Sequence, residues 1–246
     1  MIWTTASVPA IPAGQRIYAI GDIHGRLDLL DQLLHMIRLD DEEQDPAERR
    51  TLIFLGDYID RGEHSRGVID RLLTGLPDGF ESICLKGNHE EILLLSLADP
   101  LTIPMWLANG GGPTLHSYGI TRPDDAGLPF RPHHISAALA EALPTRHLEF
   151  CRSRPISVTF GDYFFVHAGV RPGVPLDAQE EEDCLFIREP FLSHRGAFGK
   201  VVVHGHTPIV EPEVRSNRIG IDTGGFYTGR LTALRLEGEY RGFLAT

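Results

Sequence analysis

The sequence predicts an α/β protein built around a mostly parallel β-sheet. Short apolar runs rich in Val, Ile and Phe recur along the chain, and each is followed by a glycine or a polar residue. Runs of this length and composition are typical of buried strands. Between the first three runs, apolar residues recur every three or four positions, which indicates helices. Alternation of strand and helix favours right-handed crossovers and parallel strand pairing.

The first half of the chain shows this alternation most clearly. We predict strands at 16–20, 51–55 and 82–85, because each run is apolar and stops at a polar residue. Apolar stripes at 27–37 and 68–73 predict the two intervening helices. A third helix is expected at 90–98 and should end before Pro100, since proline is not tolerated in a helix interior.

The stretch from 100 to 154 differs in composition from the first half of the chain, with frequent glycine and proline. Its apolar residues are too scattered for a core of their own, so we interpret it as a substrate-selecting cap within one domain spanning 1–246. Inside it, the segment 106–111 is interpreted as a helix that ends at a glycine. Further strands are predicted at 163–166, 201–203 and 219–221. A closing antiparallel hairpin is predicted at 231–236 and 240–244.

Composition narrows the function classes. The chain has 246 residues, of which 42% are hydrophobic and 23% charged, as in ordinary globular proteins. A formal charge of −11 argues against nucleic acid or an anionic membrane as a partner. Three cysteines without a CxxC pattern support neither a disulfide framework nor a cysteine zinc site. With no secretory leader or membrane span expected from the sequence, we expect a cytoplasmic protein.

Polar side chains follow most of the predicted strands. They are Asp22, His24, Asp57, Asp60, Arg61, Asn88, His89, His167 and His206. In a parallel sheet the strand ends meet at one edge, where ligands bind. Carboxylate, imidazole and amide groups together suit Mn²⁺, Fe²⁺ or Zn²⁺ better than Ca²⁺. They are too many for one ion, so we expect two divalent ions about 3.5–4 Å apart with Asp57 between them, an arrangement that activates water for attack on a phosphoester.

Five motifs in a fixed order connect the chain to a known family. They are Gly21-Asp22-Ile23-His24-Gly25, Gly56-Asp57-Tyr58-Ile59-Asp60-Arg61-Gly62, Gly87-Asn88-His89-Glu90, His167-Ala168-Gly169 and Gly205-His206-Thr207. With these motifs the chain resembles the phosphoprotein phosphatase family of the calcineurin-like metallophosphoesterases, in particular its compact bacterial and phage serine/threonine phosphatases. The resemblance implies an α/β fold of two mixed β-sheets in a sandwich flanked by helices, not the single open sheet that periodicity suggests.

The resemblance also implies roles for individual residues. The first metal ion would be held by Asp22, His24 and Asp57, and the second by Asp57, Asn88, His167 and His206. His89 would be the general acid, oriented by Asp60. Arg61 and Arg188 would bind the phosphate. We expect Mn²⁺ at both metal positions, with Fe/Zn pairs equally compatible, and we leave His204 out of the ligand set.

The function that the resemblance implies is hydrolysis of phosphoserine and phosphothreonine, and of phosphotyrosine as a further substrate, in a phosphoprotein or phosphopeptide. The expected mechanism is direct attack of a hydroxide that bridges the two metal ions, with no regulatory subunit. The alternative is a symmetrical diadenosine tetraphosphate hydrolase or a broad nucleotide phosphohydrolase. Such enzymes typically lack the Asp-Arg-Gly ending of the second motif and have Asp after Asn-His. A non-catalytic binding module would be expected to have lost a ligand or the acid.

Overall fold

The computed structural model describes residues 8–121 and 129–246, and it has ten strands in the described part. In chain order they are β1 (Gln15–Ile20), β2 (Arg49–Phe54), β3 (Glu81–Cys84), β4 (Ser157–Phe160), β5 (Tyr163–Val166), β6 (Val201–His204), β7 (Glu213–Val214), β8 (Arg218–Gly220), β9 (Thr232–Glu237) and β10 (Tyr240–Ala245). They form two five-stranded sheets, in the orders β10-β9-β1-β2-β3 and β4-β5-β6-β8-β7.

Helices flank the sheets. They are α1 (Leu27–Glu42), α2 (Ser65–Thr74), α3 (Asn88–Ala98), α4 (Ile103–Trp106), α5 (Gly112–Ser117), α6 (Pro132–Ala142), α7 (Thr145–Arg152), α8 (Glu181–Phe186) and α9 (Gly225–Thr228). Single 3₁₀ turns lie at Pro100–Thr102 and Leu176–Ala178, and a π-helical turn at Leu107–Gly111 joins α4 to α5. In α1 the stripe Leu30, Leu33, Leu34 and Ile37 is buried, as its spacing predicts.

The strand pairing confirms the predicted alternation in the first half and corrects the prediction of a single sheet. Strands β1, β2 and β3 are parallel neighbours, and β9 pairs antiparallel with β1 and with β10 in the predicted hairpin. Strands β4 to β8 form a second mixed sheet. This is the two-sheet sandwich that the family resemblance implies. Periodicity could not reveal it, because a buried strand looks alike in either sheet.

The two sheets pack face to face through an apolar layer. Ile17 and Ile53 from the first sheet share one buried cluster with Phe165, Val203 and Ile219 from the second. The opposite face of the first sheet is covered by the longer helices, and the outer face of the second sheet by the region around α8. Burial on both faces explains why these strands read as continuous apolar runs.

The region 100–154 packs against the helices of the first sheet. Its residues Trp106, Leu115, Ile135 and Phe150 are buried in the same cluster as Tyr18 of β1. Residues 1–7 and 122–128 of the predicted domain lie outside the described residues. The prediction that a helix ends at a glycine within 106–111 is confirmed, because Gly110 adopts φ 102° and ψ 18°, outside the helical range, and separates two helical segments. Within the described residues, no helix combines the length and apolarity that crossing a bilayer requires.

Candidate active site

The strand ends of both sheets meet at one edge and bring together the predicted polar residues. Asp22 and His24 follow β1, and Asp57, Asp60 and Arg61 follow β2. Asn88 and His89 begin α3, directly after β3. His167 follows β5, and His206 follows β6. The carboxylates and imidazoles of this set are buried. Uncompensated ionisable groups are rarely buried, so their convergence marks a functional site.

The backbone of this edge is strained in a way seen nowhere else in residues 8–121 and 129–246. In that part of the chain, the non-glycine residues with positive φ are His24, Asp57, Asp60, Arg61 and His206. A positive φ costs free energy for residues with a Cβ and is enriched at active sites. The surrounding packing therefore fixes these side chains in directions that a relaxed loop would not give.

Glycines next to the strained residues permit close backbone approach. A Cβ at Gly205 would lie 2.0 Å from Oδ1 of Asp22, and a Cβ at Gly62 would lie 2.2 Å from the carbonyl oxygen of His24. Neither position has room for any other residue. The glycines that the sequence places beside the motif residues therefore let the loops after β1, β2 and β6 touch.

Asp57 lies at the centre of two groups of candidate ligands. Its Oδ2 is 3.5 Å from Nε2 of His24 and 3.9 Å from Nε2 of His89, and its Oδ1 is 3.4 Å from Nε2 of His167. The groups His24, Asp57, His89 and Asp57, His167, His206 each have ligand atoms within 4.8 Å of one another. Asp57 belongs to both groups, which is the position that the sequence predicts for a residue between two ions.

The hydrogen bonds of these imidazoles leave their lone pairs directed into the site. Nδ1 of His24 donates to the carbonyl of Ile59, and Nδ1 of His167 donates to that of Leu55, both at 2.9 Å. With these tautomers Nε2 of His167 is an acceptor, yet it lies 2.9 Å from Oδ1 of Asn88. Among the described residues, the buried Nε2 of His206 has no hydrogen-bond partner.

Acceptors that face acceptors repel one another unless a cation lies between them. Burial lowers the pKa of His24 to about 3 and that of His206 to about 2, so both rings are neutral near pH 7 and can bind a metal. Burial opposes ionisation of Asp57, but the rings of His167 and His89 outweigh it and lower the pKa of its carboxyl. The donor set therefore fits a dinuclear metal centre with N and O ligands.

Asp22 lies outside the two groups of candidate ligands around Asp57. Its oxygens accept the backbone N–H of His206 at 3.0 and 3.2 Å, and it lies beside the carboxyl of Asp222. Burial, followed by repulsion from Asp222, raises the pKa of Asp22. The two tight groups contain His89 and not Asp22, so the role of Asp22 as a ligand stays a prediction. Asp222 received no role from the sequence, although it also follows an apolar strand.

The second carboxylate of the β2 loop, Asp60, faces His89. Its Oδ2 is 2.7 Å from Nδ1 of His89. The indole N–H of Trp106 donates to Oδ2 at 2.9 Å and to Oδ1 at 3.1 Å, and the hydroxyl of Thr114 donates to Oδ1 at 2.7 Å. Burial opposes protonation of His89, but Asp57 and Asp60 outweigh it and raise the pKa of the ring. Trp106 and Thr114 were assigned no chemistry from the sequence.

Glu90 holds the loop that carries Asp57. Its carboxylate, fully buried, accepts the backbone N–H groups of Asp57 at 3.0 Å, Tyr58 at 2.8 Å and Gly87 at 3.0 Å. It thus connects the turn after β2 with the start of α3. The motif Gly-Asn-His-Glu contains this residue, but only the folded chain reveals that its partners are backbone amides of another motif.

Two arginines reach the mouth of the site. The guanidinium of Arg61 lies 2.9 Å from Nε2 of His24, 3.1 Å from Nε2 of His89, and 4.7 Å over the ring of Phe226. Arg188 lines the same cavity of about 450 Å³. The lining residues are Arg61, Ala108, Asn109, Gly110, Arg188, His206, Pro208 and Phe226. The structure therefore places Arg188 beside the same cavity as Arg61, and its role in binding phosphate stays a prediction.

His204 has a different environment from His206. Its Nε2 lies 3.3 Å from Nη1 of Arg218, and its ring contacts that of Phe191 with centroids 4.9 Å apart. It belongs to neither group of candidate ligands. Its omission from the predicted ligand set stays a prediction.

Comparisons with known proteins identify relatives of the whole chain. The family described as calcineurin-like phosphoesterase matches residues 15–240. The "Serine/threonine-protein phosphatase 1" of Salmonella typhimurium strain LT2 is 26% identical over 233 residues, which cover 91% of this chain and 93% of the relative. The "Bis(5'-nucleosyl)-tetraphosphatase PrpE [asymmetrical]" of Anoxybacillus flavithermus is 26% identical over 237 residues, 88% of each protein. A solved structure described as a "putative diadenosine tetraphosphatase" superposes with a TM-score of 0.65 at 22% identity, covering 97% of this chain and 98% of the other.

Proposed function

Because this chain belongs to the calcineurin-like phosphoesterase family, we propose that it is a metal-dependent phosphomonoesterase that acts on phosphoserine and phosphothreonine in proteins. The observation that carries this proposal is the buried pair of His89 and Asp60, with Nδ1 and Oδ2 2.7 Å apart, next to the ligand groups around Asp57. A serine or threonine alkoxide is a poor leaving group and needs a proton as it departs. An acid held in place beside the metal centre supplies it.

In the proposed site, Asp22, His24 and Asp57 would hold one divalent ion, and Asp57, Asn88, His167 and His206 would hold the other. When bound, the two ions supply Lewis acidity and an activated water nucleophile. Mn²⁺ is our proposed metal, although the ligand set accepts Fe/Zn pairs as well.

The side chains of the mouth bind and orient the phosphate. Arg61 and Arg188 line one cavity, and their planar guanidinium groups donate to phosphate oxygens. Nε2 of His89 lies 3.1 Å from Nη2 of Arg61, so the two groups are adjacent and one phosphate group can contact both. Asp60 keeps Nδ1–H of His89 engaged, which directs Nε2–H towards the leaving oxygen. Ala108, Asn109 and Gly110 bring the 100–154 region to the cavity, which supports its role in substrate selection.

Nucleotide hydrolysis is the second candidate function, and it is favoured by the similarity to the Anoxybacillus tetraphosphatase, at the same 26% identity as the Salmonella phosphatase. Cleavage of diadenosine tetraphosphate expels a nucleotide phosphate, which departs without a proton. The sequence features Asp60-Arg61-Gly62 and Glu90 favour the protein phosphatase. Both candidates use the same metal centre.

The deciding experiment measures initial rates with metal-stripped protein supplied with Mn²⁺. A peptide with phosphoserine or phosphothreonine is compared with diadenosine tetraphosphate at equal concentration, and Asp57→Asn serves as the inactive control. We expect faster phosphate release from the peptide. Dominant release of ADP would assign the protein to symmetrical dinucleotide hydrolysis, and release of AMP with ATP would assign it to asymmetrical hydrolysis. Either result would overturn the proposal.

A further inference from the structure

Asp60 is held by more hydrogen-bond donors than its partnership with His89 requires. The residue has no exposed surface. Besides His89, its carboxylate accepts from the indole of Trp106 and from the hydroxyl of Thr114. A carboxylate has about four acceptor positions, so these bonds fill most of its capacity. The carboxylate plane is therefore fixed from two sides, while Oδ2 remains directed at Nδ1 of His89.

The same residues also hold the backbone of Asp60. Its N–H donates to the hydroxyl of Thr114 at 2.9 Å and to that of Ser65 at 3.1 Å, and the two hydroxyls are 2.9 Å apart. Thr114 thus accepts from the main chain and donates to the side chain of one residue. These bonds maintain Asp60 at φ 70°, a conformation that needs support from its surroundings.

The indole of Trp106 is itself held in place. Trp106 is fully buried, and a Cβ at Gly111 would lie 2.5 Å from its ring, so the π-helical turn packs directly on the indole. The same turn reaches the neighbouring residue of the β2 loop, because the carbonyl of Gly110 accepts the N–H of Arg61 at 2.9 Å. The segment from 106 to 114 therefore contacts both Asp60 and Arg61 while lying outside the sheets.

From these contacts we infer that Trp106 and Thr114 are positioning residues, whose N–H and O–H groups hold the Asp60 carboxylate in the orientation that aims His89 at the leaving oxygen. This inference rests on the proposed function, because it takes His89 as the general acid. In the step concerned, a water oxygen forms a new bond to phosphorus as the P–O bond to the alcohol breaks, and Nε2–H of His89 transfers its proton to the departing alcohol oxygen. His89 then regains a proton from water.

The role predicts a dependence on the leaving group. An alkyl phosphate such as phosphoserine needs the proton in the transition state, whereas p-nitrophenyl phosphate releases a stabilised phenolate that leaves without it. If the ring of His89 is wrongly oriented, hydrolysis of phosphoserine should therefore slow, while hydrolysis of p-nitrophenyl phosphate should be nearly unchanged. A purely structural loss would reduce both rates alike, because it lowers the amount of correctly folded enzyme.

The test uses the Mn²⁺-loaded full-length protein and compares kcat on a phosphoserine peptide with kcat on p-nitrophenyl phosphate. For Trp106→Phe and Thr114→Val we expect kcat on the peptide to fall about tenfold, a part of the 10²–10⁴ that general acid catalysis contributes, while kcat on p-nitrophenyl phosphate changes less than about twofold. Thr114→Ser retains the hydroxyl and should restore most of the lost rate. Tyr118→Phe is the matched control, because it removes a buried hydroxyl from the same region that bonds His147 and not Asp60.

A measurement on metal-free protein makes the test independent of turnover. The Nδ1–H of His89, in its short bond to Asp60, should give a far-downfield proton NMR signal in the parent and in Tyr118→Phe. We expect that signal to shift or broaden in Trp106→Phe and in Thr114→Val. An unchanged signal in both variants would contradict the inference even if one of them were too unstable for kinetics.

His89→Gln separates failure of this inference from failure of the proposed function. If His89→Gln loses the peptide and p-nitrophenyl phosphate reactions equally, His89 is not the general acid, and the inference fails. The proposed substrate class fails separately, if the parent hydrolyses diadenosine tetraphosphate faster than the peptide. If His89→Gln discriminates between the substrates but Trp106→Phe and Thr114→Val match Tyr118→Phe, only the positioning role is overturned. If His89→Gln, Trp106→Phe and Thr114→Val all slow the peptide reaction more than the p-nitrophenyl phosphate reaction, both the acid role of His89 and the positioning role are supported.

Discussion

The loop after β2 carries two buried aspartates, three positions apart, whose surroundings are opposite. Asp57 and Asp60 are 2% and 0% exposed, and both have positive φ. The oxygens of Asp57 face imidazole nitrogens at 3.4 to 3.9 Å, and Oδ1 also accepts the backbone N–H of His89 at 3.0 Å. The oxygens of Asp60 accept bonds of 2.7 to 3.1 Å from an indole, a hydroxyl and an imidazole.

This difference shows that the environment, and not the residue type, decides what a buried carboxylate does. Asp57 accepts the backbone N–H of His89, and the imidazole nitrogens of His24 and His167 face its oxygens, an arrangement that suits a cation. Asp60 has nearly all its acceptor positions filled by protein donors, so a cation there would have to displace them. Asp57 is therefore suited to a metal and Asp60 to orienting a ring.

The largest effect is expected when Asp57 loses its charge. Asp57→Asn keeps the shape of the side chain but removes the negative charge shared by both ligand groups. We expect Mn²⁺ affinity and kcat to fall by about 10³ or more, since the metal ions supply several kcal/mol of transition-state stabilisation. Calorimetric titration of metal-stripped protein with Mn²⁺ measures the first and phosphate release the second. Parent-like Mn²⁺ affinity in this variant would show that the carboxylate of Asp57 does not bind the metal ions.

The same change at Asp60 should leave metal binding intact. Asp60→Asn removes the carboxylate that orients His89, and we expect kcat on a phosphoserine peptide to fall about 10², within the range of general acid catalysis. Asp60 contributes to the raised pKa of His89, so its neutralisation lowers that pKa. His89 must be protonated to act, and the loss of activity on the alkaline side should therefore begin at lower pH than in the parent. A profile of kcat against pH checks this, and an unmoved alkaline limb would contradict it.

The sequence predicted one half of this contrast much better than the other. The candidate ligands around Asp57 all follow apolar runs, so a local pattern is enough to place them at one sheet edge. The donors to Asp60 carry no such signal, because Trp106 and Thr114 lie 46 and 54 residues away along the chain. The pairing of β5, β6 and β8 into a second sheet was hidden for the same reason. Sequence periodicity indicates which face of a helix or strand is apolar, but only tertiary packing determines which element that face contacts.

A smaller effect is expected at Glu90, which supports only the Asp57 side of the contrast. Glu90→Gln places an amide N–H₂ among the backbone N–H groups of Asp57, Tyr58 and Gly87, which now share a carboxylate. We expect Mn²⁺ affinity to fall about tenfold, at the low end for groups that orient metal ligands. The ratio of kcat on a phosphoserine peptide to kcat on p-nitrophenyl phosphate should stay as in the parent. If that ratio changed instead, Glu90 would act through His89 and not through Asp57.

The smallest effect on Mn²⁺ affinity and kcat is expected from substitution of His204. This residue tests whether a histidine two positions from the predicted ligand His206 also binds metal. Burial lowers the pKa of His204 to about 3, so like His206 it is neutral near pH 7. The two rings nevertheless have different neighbours, because His204 lies against Arg218 and Phe191, while Nδ1 of His206 is 2.8 Å from Oδ1 of Asn88.

His204→Gln should therefore leave Mn²⁺ affinity and kcat within about twofold of the parent and lower the free energy of unfolding by about 1 kcal/mol, the usual cost of one buried hydrogen bond. His206→Gln, two positions away, should lose Mn²⁺ affinity with little change in unfolding free energy of the metal-free protein. Calorimetry with Mn²⁺ and denaturant unfolding of both variants measure the two effects. Equal loss of metal affinity would mean that the imidazole of His204 reaches the metal centre, and the assignment of ligands by their position at the sheet edge would then fail.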